Sequence, residues 1–275
     1  MEHIAFFDGT HRKRVERHIA VERAMSSKSF FSQLFVLYQP IVHMPARKTI
    51  GYEGLVRWDH PDLGRISPCE FIGTTEENGM ILDIGAFVIE EAVSTARRLR
   101  EQVRANTPGA DLPFMSINVS PVQLLEDGLP EYILKCLDTS GLPVSSIKLE
   151  VTETYINERY ETFRRATEAF ARVGMAFAID DFGSGSSAFR RLTEGSFDTI
   201  KIDQYFVREM NPSGSTPIIT AMSSLAHGSS MMAIAEGIET YAHAKTVMEA
   251  GCSIGQGYLF GKPAPASAYL SAANA

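Results

Sequence analysis

Eight short apolar runs, separated by longer stretches with helical periodicity, restrict the fold of this chain more than any other feature of its sequence. They are FVLYQPIV at 35–42, IGYEGLVRW at 50–58, PFMSINVS at 113–120, IKLEVTE at 147–153, MAFAIDD at 175–181, DTIKID at 198–203, MMAIAEG at 231–237 and GQGYLF at 255–260. Helical signals between them are strongest at 83–104, 129–139, 155–172, 216–228 and 241–250. Within 155–172, Tyr160, Phe163, Ala166 and Phe170 form an apolar stripe while Glu158, Arg159 and Glu161 face water, the pattern of a helix laid on a sheet. Alternating strands and helices define an α/β protein, and eight strands suggest a closed (β/α) barrel, with a doubly wound open sheet as the alternative.

At 275 residues and 44% hydrophobic content the chain fits one large domain better than two average ones. No low-complexity linker interrupts 31–264. The 26 basic and 33 acidic residues give a formal charge of -7, which argues against a nucleic-acid polymer or an anionic membrane as a general partner. Arg12, Lys13, Arg14 and Arg17, with Glu16 among them, read as a solvated helix face. Cys69, Cys136 and Cys252 are odd in number and far apart, so neither a disulfide framework nor a zinc site is expected. No apolar run reaches membrane-spanning length, and the first twenty residues lack the apolar core of a secretory signal. The expected location is cytoplasmic, or a cytoplasmic module of a larger membrane-associated signalling protein.

Polar residues recur at one place in the pattern. Glu53, Asn118, Glu150, Asp180, Lys201 and Glu236 each fall within or late in a different candidate strand, where barrel enzymes assemble their chemistry. Ser116 shares a strand face with Asn118, as do Lys148 with Glu150, Thr199 with Lys201 and Ile234 with Glu236. Carboxylates brought together at a strand mouth repel one another and resist desolvation unless cations or protons compensate them. Divalent metal is the direct solution, and Asp, Glu and Asn oxygens suit magnesium or manganese. The stretch AIDDFGSGSS at 178–187 puts Asp180 and Asp181 at the end of an apolar run; its glycine-rich tail lacks the lysine and spacing of a phosphate-binding P-loop, and Ser184 lacks a nucleophile elbow.

The ordered segments YEGLVRW, NVSPVQL, LEVTE, DDFGSG, KID, AEGIE and GQGYLF resemble the motifs of the EAL-domain cyclic di-GMP phosphodiesterases, over about Tyr38 to Pro263. This resemblance implies a modified TIM-type (β/α)8 barrel with one antiparallel strand, and hydrolysis of cyclic di-GMP to linear pGpG with two divalent cations, Mg2+ or Mn2+. It assigns metal binding to Glu53, Asn118, Glu150, Asp180, Asp181 and Glu236. The catalytic set is Lys201, which orients or polarises the attacking water, with Glu236 and with Glu153, which holds the loop after Asp181. Glu239 and Gln256 support the site or contact substrate, and Gln39 and Arg57 stand in motifs associated with guanine or phosphate contacts. Tyr38 and Trp58 are either core aromatics or ligand-facing.

Departures from the family pattern are Gly54 for the middle alanine of the motif that names it, His43, Gln204 and Ser253, and the loop residues Ser184, Ser186 and Ala188. The altered loop leaves open a catalytically inactive cyclic di-GMP receptor that relays binding to another domain or protein. Residues 1–30 are expected to form a helical leader or interdomain linker remnant and 31–275 the EAL phosphodiesterase domain. A homodimer is expected, as is an amino-terminal sensory or diguanylate cyclase-like domain in a longer protein. The characteristic cyclase active-site sequence is absent, so no synthesis activity is assigned.

Overall fold

The structure, a computed structural model, describes residues 9–106, 111–158, 160–183, 197–209 and 216–272. Each of the eight apolar runs contributes a stave. They are β1 (Leu34–His43), β2 (Lys48–His60), β4 (Phe114–Asn118), β5 (Ile147–Thr152), β6 (Phe177–Phe182), β7 (Phe197–Ile202), β8 (Met232–Ala235) and β9 (Ile254–Gln256). In space the ring runs β1-β9-β8-β7-β6-β5-β4-β2 and closes by the pairing of β2 with β1. β1 is antiparallel to both its neighbours, and every other adjacent pair in the ring is parallel. A short β3 (Gly64–Ile66) folds back on β2 outside the ring. The open doubly wound alternative is thereby excluded, and the chain is a modified TIM-type barrel.

Helices cover the barrel where periodicity predicts them, and local chemistry sets their ends. α2 (Pro68–Asn78) begins with proline in its first turn and a capping box in which Ser67 and Glu70 satisfy each other's backbone N–H groups, and it stops at left-handed Gly79. α3 (Ile81–Asn106) buries one stripe from Ile81 to Leu99. α4 (Pro121–Leu124) and α5 (Leu129–Thr139) follow β4. The predicted 155–172 helix is two elements, α6 (Glu153–Glu158) and α7 (Tyr160–Arg172), with Arg159 outside the described residues. α7 docks through Phe163, stacked 5.4 Å from Phe197, and through Phe170, edge-on to Phe177. Fully burying side chains of this size stabilises the shell by about 1.5–3 kcal/mol each.

The remaining described helices are α8 (Gln204–Arg208), α9 (Thr216–Gly228), α10 (Tyr241–Glu249) and α11 (Ala266–Ala272). Ahead of β1 lies α1 (Gly9–Met25), whose Val21 and Met25 enter the core and whose Arg17 bonds Glu70 and the Leu63 carbonyl. The last stave is shorter than its apolar run. It ends at Gln256 because Gly257 crosses so close to Ile238 that a Cβ there would lie 2.1 Å from the Ile238 carbonyl oxygen, and the chain turns with Leu259 N–H bonded to that same oxygen. No described helix is long and apolar enough to cross a membrane.

Candidate metal centre

Parallel pairing sets the strand ends side by side. Glu53 is level with Ser116, Asn118 with Glu150, Thr152 with Asp180, and Lys201 with Ile234. Because side chains alternate, Ser116 and Asn118 point to one face, and both reach glutamates of the interior. Lys201 stands at the centre, 1% exposed. Its Nζ lies 2.8 Å from Glu150 Oε2, 2.8 Å from Glu236 Oε1, 3.0 Å from Asp180 Oδ1 and 3.5 Å from Glu53 Oε2. Glu53 also accepts from Asn118 Nδ2 at 2.8 Å and from Gln256 Nε2 at 2.6 Å.

The electrostatics follow from one ammonium facing a surplus of carboxylates. Burial pushes Glu150 well above the usual carboxylate range, with repulsion from Glu53 and Asp180 adding to it. Glu236 is pushed up to about 8, by burial first and against the pull of Lys201, with Asp180 and Glu53 opposing its charge. Asp181 rises to about 6 through burial and the charges of Asp180 and Asp203. For Glu53 burial acts in the same upward direction, but Lys201 and the amide donors of Gln256 and Asn118 outweigh it and its carboxyl falls below the ordinary value. Burial alone would discharge Lys201; Asp180, Glu150, Glu236 and Glu53 reverse this and hold it charged.

Asp180, Asp181 and Glu236 offer oxygens that all lie within 4.8 Å of one another. Asp181 adopts φ +54°, a left-handed conformation uncommon outside glycine, and Gly183 follows at φ +101°. Glu153, buried at the start of α6, accepts the Gly183 N–H at 2.7 Å and so ties down the chain just beyond Asp181. Asp180 Oδ1 is buried, with the Lys201 ammonium at 3.0 Å as its ion-pair partner. An all-oxygen set gathered round a single ammonium, with three carboxyls raised by burial first and then by the charge of neighbouring carboxylates, fits one or more hard divalent cations.

Two recesses flank the cluster and share Leu55. One, of about 420 Å³, is lined by Arg57, Asn118 and Glu150 among apolar residues such as Ile72, Ile84 and Val119. The other, of about 210 Å³, is lined by Gln39, Glu53, Glu236, Glu239, Gln256 and also Arg208. Gln39 is buried with both ends of its amide engaged within the protein: Oε1 accepts from Gln256 and Nε2 donates to the Gly261 carbonyl, each at 3.2 Å. Arg57 bonds the Val56 carbonyl at 2.8 Å, and Glu239 pairs with Arg208 at 3.0 Å.

Tyr38 and Trp58 are core residues, at 2% and 0% exposure. His43 lies near the end of β1, where its Nδ1 accepts the Ala46 N–H. Ser184, Gly185, Ser186 and Ala188 lie outside the described residues. Three side chains of the site carried no assignment in the sequence reading: Ser116, whose hydroxyl bonds Glu150, Arg208, and Tyr258, which lines the smaller recess and stands under Lys262. Strand parity with Asn118 marks Ser116, whereas Arg208 and Tyr258 sit beyond the strands where parity gives no signal.

A parallel-dominated barrel with an oxygen-rich acidic cluster at the carboxyl ends of its strands defines a barrel protein equipped for divalent cations. The model of the EAL domain matches residues 20–263, and the chain belongs to the EAL-domain family. It is 33% identical over 264 residues to the probable cyclic di-GMP phosphodiesterase PdeI of Escherichia coli (strain K12), an overlap of 96% of this chain and 33% of that protein. Among solved structures it resembles the EAL enzyme Bd1971 in its cAMP and cyclic-di-GMP bound form, with a TM-score of 0.84, 30% identity and coverage of 96% of this chain and 70% of the other. The PaMucR phosphodiesterase in complex with c-di-GMP gives 0.79, 30%, 92% and 99% for the same quantities. The chain spans 28–33% of the length of the first curated relatives it matches.

Proposed function

We propose that this chain is a metal-dependent phosphodiesterase that hydrolyses cyclic di-GMP to linear pGpG. The observation that carries this reading is the carboxylate surplus around Lys201 at the carboxyl ends of the strands. Relatives described as a phosphodiesterase of, or complexed with, cyclic di-GMP support the choice of ligand. Glu53, Asn118, Glu150, Asp180, Asp181 and Glu236 would hold two ions, Mg2+ or Mn2+. Asn118 keeps its Oδ1 for this purpose because Nδ2 is the atom spent on Glu53. When bound, such ions polarise a phosphodiester and lower the pKa of an attached water.

The chain's own groups do the rest. Lys201 Nζ, fixed from several sides, is a preorganised positive donor in a water-poor site, where such a group stabilises developing charge strongly. Glu153 holds the Asp181–Gly183 turn in place. The recesses on either side of Leu55 receive the two halves of the dinucleotide: Arg57 faces one, and Glu239 and Gln256 face the other, with Gln39 steadying Gln256. In the cell the module works as a cytoplasmic homodimer, joined to an amino-terminal domain.

Purified protein with Mg2+ or Mn2+ converts cyclic di-GMP mainly to pGpG, read by chromatography against Glu53→Ala. Saturable binding without product would leave a receptor instead of an enzyme, and absence of binding removes the ligand assignment.

A further inference from the structure

Glu150 is held at both of its oxygens. Ser116 Oγ donates to Oε1, and Lys201 Nζ donates to Oε2 at 2.8 Å. Ser116 is 0% exposed, one strand over on β4, and its hydroxyl reaches nothing in either recess. Glu150 itself lines the larger recess beside Asn118, another of the residues that would hold an ion. A carboxylate oxygen anchored by a buried hydrogen bond keeps a second lone pair for an ion, but the anchor fixes the plane of the group, so turning both oxygens onto a single ion strains or breaks that bond.

Cations differ in what they ask of such a group. Mg2+ demands near-octahedral geometry at roughly 2.0–2.1 Å and takes one oxygen from a carboxylate, whereas Ca2+ accepts six to eight ligands at roughly 2.3–2.6 Å and readily takes both oxygens. Mn2+ shares the six-oxygen octahedral preference. Resting on the reading of this mouth as a divalent-cation site, we propose that Ser116 is a positioning residue that sets its metal selectivity. The hydroxyl anchors Glu150 Oε1, restricts Glu150 to one-oxygen ligation, and so favours Mg2+ or Mn2+ over Ca2+. A serine that served only to fill the barrel would stabilise the fold without discriminating between ions.

The test is the ratio of two affinities in Ser116→Ala, measured on the full chain: Mn2+ by its paramagnetic resonance signal and Ca2+ by competition against it. Loss of the anchor raises Ca2+ affinity relative to Mn2+ by roughly tenfold, the scale of one hydrogen bond to a charged group. Thr199→Val is the control, because it removes another buried barrel hydroxyl, one that bonds Lys148 and Asp198 rather than the acidic cluster. There the ratio stays at the wild-type value. Partial unfolding of either variant lowers the number of sites without moving the ratio. An unchanged ratio in Ser116→Ala, or an equal shift in Thr199→Val, overturns the assignment while leaving the metal centre intact. A wild-type chain that binds neither ion overturns the metal centre itself and this inference with it.

Discussion

The two ends of the barrel each hold a lysine, and they surround it differently. At the amino-terminal end Lys148 meets one carboxylate, Asp198, together with the Thr199 hydroxyl at 2.9 Å and the Phe114 ring face. At the carboxyl end Lys201 meets four. The first arrangement is balanced and half open to water, since Asp198 is 47% exposed. The second is over-supplied with negative charge and closed. A matched pair completes a fold; in the unmatched set burial first, and then repulsion from neighbouring carboxylates, raises the carboxyls of Glu150, Asp181 and Glu236.

Removing each lysine breaks the comparison most sharply. Lys201→Met leaves buried Glu53 and Glu150, and partly buried Asp180 and Glu236, without their cation, a change of the kind that costs about 3–5 kcal/mol, and turnover falls by at least about a hundredfold. Mn2+ restores part of the stability because it supplies positive charge to the same oxygens. Lys148→Met costs about 1 kcal/mol, as for a partly exposed pair, and Mn2+ returns none of it. Urea denaturation with and without metal measures both, and an equal response of the two variants to Mn2+ would show that the ends do not differ as their charges say.

Carboxylate substitutions give the next largest effect. Glu53→Gln weakens Mn2+ binding by roughly tenfold or more, since it removes a charge from a low-dielectric site. Asp198→Asn leaves Mn2+ affinity unchanged. Calorimetric titration of both variants decides this, and loss of affinity in the Asp198 variant would count against a metal centre confined to the strand mouths.

The pH dependence sharpens the contrast further. Above about pH 4.3 an unfolded chain has released its glutamate protons, while folded Glu236 keeps its proton up to about 8 and Asp181 up to about 6. The folded state therefore binds more protons in that window, and metal-free stability falls as pH rises from about 5 to about 8. Metal competes with those same protons, so its affinity climbs over the same range and its presence flattens the stability curve. Thermal melts at several pH values with a chelator and with Mn2+ check the sign. Metal-free stability that rises from pH 5 to 8 would mean that the acidic cluster is not the group that titrates.

Much of this was legible before any coordinates. The eight staves follow from eight apolar runs, and the interior face follows from two-residue alternation, which is why Asn118 reaches Glu53 and Lys201 reaches Glu150. The direction of β1 is not written in its own residues, since an apolar run reads alike in both senses; the family resemblance implied one antiparallel strand without saying which. The early end of β9 depends on the Ile238 backbone, eighteen or so residues away, and no local pattern in GQGYLF announces that contact. Arg208 and Tyr258 escaped for the same reason, because residues on the loops and short helices beyond a strand are placed by tertiary contacts and not by periodicity.

The smallest expected effect concerns α7, which contributes no residue to either recess. Phe170 on α7 is 1% exposed and packs edge-on against Phe177, the residue that opens β6 and stands three positions before Asp180. Phe170→Leu removes ring contacts while keeping an apolar side chain, so stability falls by about 1 kcal/mol. Mn2+ affinity stays at the wild-type value, because Asp180 is held by the β5–β6 ladder and by Lys201 rather than by the outer helix. Denaturation and metal titration on the same preparation separate the two quantities. A drop in Mn2+ affinity that tracks the loss of stability would mean that the shell positions the mouth through β6, and that the site is less insulated from the outer helices than its ion pairs imply.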